Sequence, residues 1–172
     1  MARDEVRSLT ELYQRYSGSV FHYLLGLSGD RPLADELTGE TFYRAVLSLD
    51  GFRGEASVKT WLLRIARNLY LRRLEREQRT TSLQELEEQG VFFAAERSEP
   101  EAELLRRERS EAIRRSLEAL SESDRSILLL SARERMTCRQ ISEVLGISVS
   151  AVKVRLYRAR RRLVSALGVE EA

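Results

Sequence analysis

Apolar residues recur along this chain at steps of three and four, the spacing of a helix that buries one face. Leu9, Leu12, Tyr13, Tyr16, Val20, Phe21, Leu24 and Leu25 mark a first face, and Gly29-Asp30-Arg31-Pro32 interrupts it. A second helix is predicted from about Leu33 to Leu49, with Leu37, Thr41, Ala45 and Leu49 in register. The glycines of DGFRGEAS, Asp50 to Ser57, read as a loop. The sharpest stripe follows, carried by Val58, Trp61, Leu62, Ile65, Ala66 and Leu69. Periodicity fades from Ser82 to Pro100, resumes at Glu101 and continues through Leu117 and Leu120 to Ile127, Leu128 and Leu130. No period-two alternation persists, and the only prolines are Pro32 and Pro100. The expected fold is all-α, with helical domains at 1–81 and 104–172 joined by a linker at 82–103.

The last block carries the most local detail. Ser121 or Ser123 can cap a helix, and Met136-Thr137 ends that segment. Thr137-Cys138-Arg139-Gln140 has the form of a capping box, in which Thr and Gln side chains each satisfy an orphan backbone N–H. Ile141, Val144 and Leu145 give a short buried face, and Gly146 stands where a left-handed C-cap is expected. Ile147 fills the turn and Ser148 caps the next helix, whose inward stripe is Val152, Leu156, Ala159 and Leu163. Small Ser142 sits where the two helices must come close. The sequence therefore predicts a helix-turn-helix.

Charge sharpens this picture. The formal net charge of +2 conceals strong segregation. From Val149 to Leu163 the chain has Lys153, Arg155, Arg158, Arg160, Arg161 and Arg162 and no acid. The side of the 58–76 helix away from its apolar stripe carries Arg64, Arg67, Asn68, Arg72, Arg73 and Arg76, with no acid before Glu75. The linker instead holds Glu85, Glu87, Glu88, Glu96, Glu99, Glu101 and Glu103 against Arg97. Two basic helices point to an anionic partner, with residues 149–155 of the second placed to meet base edges and Arg158, Arg161 and Arg162 to clamp phosphates.

Other chemistry is thinly represented. One cysteine, Cys138, excludes an internal disulfide, and one histidine, His22, leaves no basis for a zinc site within the chain. There is no phosphate-binding glycine motif and no paired carboxylates in an expected cleft, so neither an enzyme nor a cofactor is expected. The longest uncharged run, Ser17 to Gly29, is too short for a membrane span, and MARDEVRS lacks a signal-peptide core. A cytoplasmic protein is the expectation.

Three segments together resemble the extracytoplasmic-function group of bacterial sigma factors: ADELTGETFYRA (Ala34 to Ala45), FRGEASVKTWLLRIARN (Phe52 to Asn68) and ISEVLGISVSAVKVRLYRARRRL (Ile141 to Leu163). The resemblance runs from Leu9 to Leu167. It implies a region 2 and a region 4 domain, the first recognising and opening the −10 promoter element and the second reading the −35 element. It implies as partners the RNA polymerase core, through the clamp helices of the largest subunit and the β-subunit flap, together with promoter DNA and an anti-sigma factor. Asp35, Glu36, Thr38, Glu40 and Arg44 then belong to the core-binding surface. Arg53, Gly54, Ser57, Lys59, Arg64, Asn68, Arg72, Arg73 and Arg76 belong to the −10 surface. Ser148, Ser150, Ala151, Lys153, Val154, Arg155, Arg158, Arg161 and Arg162 belong to the −35 surface. The acidic linker would thread the basic RNA-exit channel of the polymerase.

Three positions depart from the family pattern. Gly39 replaces the usual Gln before Glu-Thr-Phe, Arg72 stands where Asp is common, and Ala151 replaces a Thr hydroxyl. A competing reading makes the chain a free-standing helix-turn-helix regulator with an N-terminal dimerisation or sensor domain. It would have no need of the second basic helix.

Overall fold

The computed structural model describes residues 9–81 and 100–168. Most of the segment read as linker lies outside the described residues, and its last four residues open a helix. The described residues form α1 (Leu9–Ser28), α2 (Arg31–Leu47), α3 (Val58–Thr81), α4 (Pro100–Glu118), α5 (Glu122–Leu128), α6 (Cys138–Leu145) and α7 (Val149–Ala166). A 3-10 turn spans Leu49–Gly51, and no strand occurs among the described residues. None of these helices is long and apolar enough to cross a membrane.

Local chemistry sets the helix ends. Gly29 is left-handed at φ 64°, and the Asp30 carboxylate caps α2 by accepting from the Leu33 backbone N–H at 3.1 Å. Pro32 falls in the first turn, where its missing N–H costs nothing. Ser57 caps α3 by accepting from the Thr60 N–H at 3.1 Å, and its hydroxyl shares a 2.8 Å hydrogen bond with that of Thr60. Ser121, not Ser123, caps α5.

The first half is an α1–α2–α3 bundle. Leu12, Val20, Leu24, Ala34, Leu37, Ala45, Val58, Leu62, Ala66 and Leu69 are buried in it. Trp61 packs against this core half-buried, its ring 4.6 Å from that of Phe52, so it belongs to the interior as its stripe predicted. In the second half α5, α6 and α7 enclose Ile127, Leu130, Ile141, Val144, Val152, Leu156 and Ala159.

The halves also pack on each other, α3 against α6 and α1 against α5, and one apolar core runs through both. This uses a second stripe of α3. Lys59 and Arg67, two turns apart, reach the second half, Lys59 to Glu134 and Arg67 to Glu122, with Leu63 buried between them in sequence. The periodicity of the sequence placed Arg67 on the exposed side. It lies instead in this joint, its guanidinium 3.4 Å from Glu122. Leu63 is fully buried, and the Tyr70 hydroxyl donates to the Leu27 carbonyl at 3.1 Å.

After α5 the backbone makes a π-turn at Leu129–Arg133, where Glu134 N–H reaches the Leu129 carbonyl at 3.0 Å. Arg135 then takes a left-handed φ of 52°. Such single π-turns often mark functional positions in helices. Here the turn sets the Leu129 side chain against Gly26, where an added Cβ would lie 2.8 Å from its methyl carbons. It also delivers Glu134 to Lys59.

Candidate nucleic-acid interface

The helix-turn-helix forms as its sequence requires. Thr137 and Gln140 complete the capping box, with Gln140 N–H to Thr137 Oγ1 at 3.2 Å and Thr137 N–H to Gln140 Oε1 at 2.9 Å. Gly146 is left-handed at φ 67°, and its N–H closes on the Ser142 carbonyl at 2.9 Å. Ser148 caps α7 by accepting from Ala151 N–H at 3.1 Å. Val152, Leu156 and Ala159 are buried against α5 and α6, which fixes the opposite face outward.

That outward face carries Ser150, Lys153, Val154, Arg155, Arg158 and Arg161, all exposed, while Ala151 is half-buried. Arg162 is exposed but bound to the Asp124 carboxylate, so one predicted phosphate ligand also ties α7 to α5. Tyr157, absent from the predicted set, is 62% exposed between Val154 and Arg161. The Arg161 guanidinium lies 5.9 Å from its ring centroid, a cation–π contact. Lys153, Val154, Tyr157, Arg158, Arg161 and Arg162 line an open concavity of about 650 Å³. The signal for Tyr157 was its place four residues from both Lys153 and Arg161.

On α3 and the loop before it, Arg53, Gly54, Ser57, Arg64, Asn68, Arg72 and Arg76 are exposed. Two predicted members of that surface are engaged elsewhere. Lys59 is half-buried, with Nζ 2.8 Å from Glu134 Oε2 and 3.3 Å from the Glu134 carbonyl. Arg73 binds Glu36 at 2.8 Å and Glu77 at 3.1 Å, and these two carboxylates raise its pKa from the usual value.

Of the residues assigned to core binding, Asp35 and Glu36 are exposed on α2, and Glu40 pairs with Arg44 one turn on at 2.8 Å. Thr38 is interior at 5% exposure, its hydroxyl donating to the Ala34 carbonyl at 2.7 Å. Beside them lies an apolar groove of about 620 Å³ between α1 and α2, lined by Leu9, Tyr13, Phe42, Tyr43 and Val46 with Gly39 at its edge. Of this aromatic lining only Tyr13 fell on an apolar helix face predicted from sequence. Tyr13 and Tyr43 are 48% and 65% exposed.

No group of three or more His, Cys, Asp or Glu residues suited to a metal occurs among the described residues. Among the described residues the geometry offers two outward basic helix faces and an apolar groove.

Comparison with known proteins finds two family models along the chain. The family model described as sigma-70 region 2 matches residues 12–80, and the one described as sigma-70, region 4 matches residues 110–163. The chain is 30% identical to RNA polymerase sigma factor YlaC of Bacillus subtilis, over 91% of this chain and 90% of the relative. It is also 30% identical to the ECF RNA polymerase sigma-E factor of Salmonella typhimurium, over 79% of this chain and 73% of that one. Among solved structures, the sigma factor RpoE of Bartonella quintana, crystallised with the anti-sigma factor NepR, shares the fold. The TM-score is 0.80 at 20% identity, over 96% of this chain and all of the other.

Proposed function

This chain belongs to the extracytoplasmic-function group of RNA polymerase sigma factors, and we propose that it works as a promoter-specificity subunit whose two basic helices read two separate DNA elements. The observation that carries the reading is the presence, in one chain, of two outward basic helix faces, one on α3 and one on α7, each inside a sigma-70 region. The chain is an initiation factor and not an enzyme. Catalysis belongs to the polymerase it directs.

In this reading α2 docks on the clamp helices of the largest subunit through Asp35, Glu36, Glu40 and Arg44, and the apolar groove beside them takes the partner's apolar side chains. Thr38 supports that face from beneath. The domain at 104–172 meets the β-subunit flap. The linker at 82–103 supplies acidic residues to the RNA-exit channel.

At the −10 element, Arg53, Gly54 and Ser57 border the loop that would receive an extruded base. Taking a base from the stack costs a few kcal/mol, recovered by contacts to its exposed edge and faces. Asn68, exposed one helical turn from both Arg64 and Arg72, offers an amide donor and acceptor to such an edge. Arg64, Arg72 and Arg76 hold the backbone, joined by Lys59 and Arg73 once their carboxylate partners release them. At the −35 element Ser148, Ser150, Ala151, Lys153, Val154 and Arg155 face the bases, and Arg158, Arg161 and Arg162 face the phosphates. Control by an anti-sigma factor and work in the cytoplasm, beside polymerase and chromosome, complete the reading.

The test is transcription in vitro by bacterial core polymerase on a library of random promoters, with and without this protein. Chain-dependent transcripts that share two upstream elements at fixed spacing are the expected result. Retention of duplex DNA by the chain alone, with no dependent transcript, would sink the proposal in favour of a free-standing regulator.

A further inference from the structure

The face of α7 that the helix-turn-helix holds outward is basic at its margins and apolar near its centre. Val152, Leu156 and Ala159 are buried. With about 3.6 residues per turn, the positions opposite that stripe are Ser150, Val154 and Arg161, and Tyr157 and Arg158 fill the turn before Arg161. Lys153, Arg155 and Arg160 leave the helix from its flanks. Val154 is 49% exposed and Tyr157 62%. The concavity they share is lined by side chains of α7 alone, so no other described element covers this apolar pair. The Arg161 guanidinium, in cation–π contact with the Tyr157 ring, steadies the ring on the outward face.

A recognition helix in the major groove presses its outward face on base edges. Those edges present hydrogen-bond donors and acceptors, and their apolar group is the C5-methyl of thymine. The Val154 side chain has no hydrogen-bonding group. Set against guanine or adenine, it would strip water from a donor or acceptor and return nothing. Set against thymine, it buries a methyl group instead. The ring of Tyr157 obeys the same logic. Side chains three residues apart are about 4.5 Å apart along a helix, and base pairs are stacked about 3.4 Å apart. Val154 and Tyr157 therefore reach the same or neighbouring base pairs.

Resting on the sigma-factor reading, we infer that Val154 and Tyr157 select thymine in the −35 element by packing on its C5-methyl group. Tyr157 acts through its ring and not its hydroxyl. Arg158 and Arg161 beside the pair hold phosphates of any sequence, while the pair itself supplies choice at one or two positions.

Deoxyuridine pairs as thymine does and lacks only the methyl group, so it isolates this contact. The strongest promoter recovered from the random library is rebuilt with deoxyuridine at each thymine of its upstream element, on either strand in turn, and binding by the holoenzyme is titrated. One or two of these replacements should weaken binding about three- to five-fold, the worth of one buried methyl group, and the others should not. In Val154→Ala and Tyr157→Ala the loss at the matching thymine should vanish, whereas Tyr157→Phe should retain it. Neither side chain is part of the buried core, so truncation leaves the fold in place. Deoxyuridine without effect at every position, or with the same effect in the unsubstituted chain and both alanine variants, would overturn the inference. If no transcript depends on the chain, the sigma reading fails and the methyl contact is decided on the full chain alone. Duplexes that it retains at low salt from a random pool should then be enriched in thymine, and both alanine variants should lose that enrichment. Retention by the unsubstituted chain without thymine enrichment would end the proposal.

Discussion

Tyr23 shows how one side chain can make a joint sensitive to its surroundings. It is fully buried, and burial pushes its hydroxyl pKa well above the usual value near 10. The Ser126 hydrogen bond and Arg67 act the other way, while Glu122 and Glu134 reinforce the rise. The folded chain keeps the phenol neutral where the unfolded chain would ionise it. Stability from this group is therefore full below about pH 10 and declines as pH climbs beyond it. Tyr70 is raised in the same direction by its own burial. Tyr23→Phe should lose about 1 kcal/mol at pH 8, where the Ser126 hydroxyl loses its partner. It should also lessen the alkaline decline without abolishing it, as urea midpoints from pH 8 to 11 would report. Gly39 makes the opposite case. It lies inside α2 with nothing within 4 Å of a built Cβ, so packing in the free chain does not require glycine. Gly39→Ala should raise stability by about 0.5–1 kcal/mol. If core binding weakens in the same variant, polymerase approaches the groove closely at that residue; unchanged binding would remove Gly39 from the docking surface.

At the scale of elements, the helix-turn-helix was the most legible part of the sequence. Thr137, Gln140, Gly146 and Ser148 each act through their own backbone or a neighbour a few residues away, and local chemistry is what a single sequence records best. The single inward stripe of α7 was clear for the same reason. The second face of α3 was not. Leu63 and Tyr70 alternate with Lys59 and Arg67, so the basic residues suggested a solvated side. Only the arrival of Glu122 and Glu134, tens of residues later, makes that side interior. Thr38 was likewise assigned to a surface by family pattern, though its hydroxyl satisfies the backbone within α2. The roles within α7 can be separated by salt. Arg158→Ala should weaken holoenzyme binding to all promoters alike and reduce the slope of log affinity against log salt by about one. Lys153→Ala should change the preferred −35 sequence. Binding titrations at several salt concentrations, repeated on altered promoters, check both.

Over the whole molecule, the two halves gain stability by packing on each other. Docking α6 on α3 joins two small cores into one, which helps helical units too small to bury much surface alone. The same docking holds both DNA-facing helices, α3 and α7, in one body. Free chain should accordingly bind duplex promoter weakly and with a steep loss on adding salt, whereas the chain with core polymerase should bind the same duplex specifically. Electrophoretic retention at low and moderate salt makes that comparison, and tight, salt-resistant binding by the free chain would contradict it.

Lysine is nearly absent from this chain, and that scarcity has a practical consequence. The sequence contains only Lys59 and Lys153. The Lys59 side chain is one-third exposed and held by Glu134, whereas Lys153 stands in solvent on α7. An amine-acylating reagent followed by mass spectrometry therefore has one amine that senses the Lys59–Glu134 ion pair and another that serves as an internal standard. The Lys59-to-Lys153 labelling ratio should be low in the resting chain and rise with ionic strength, giving a reading of the joint in unmodified protein. A ratio unaffected by salt would mean that the amine of Lys59 is guarded by something other than its ion pair.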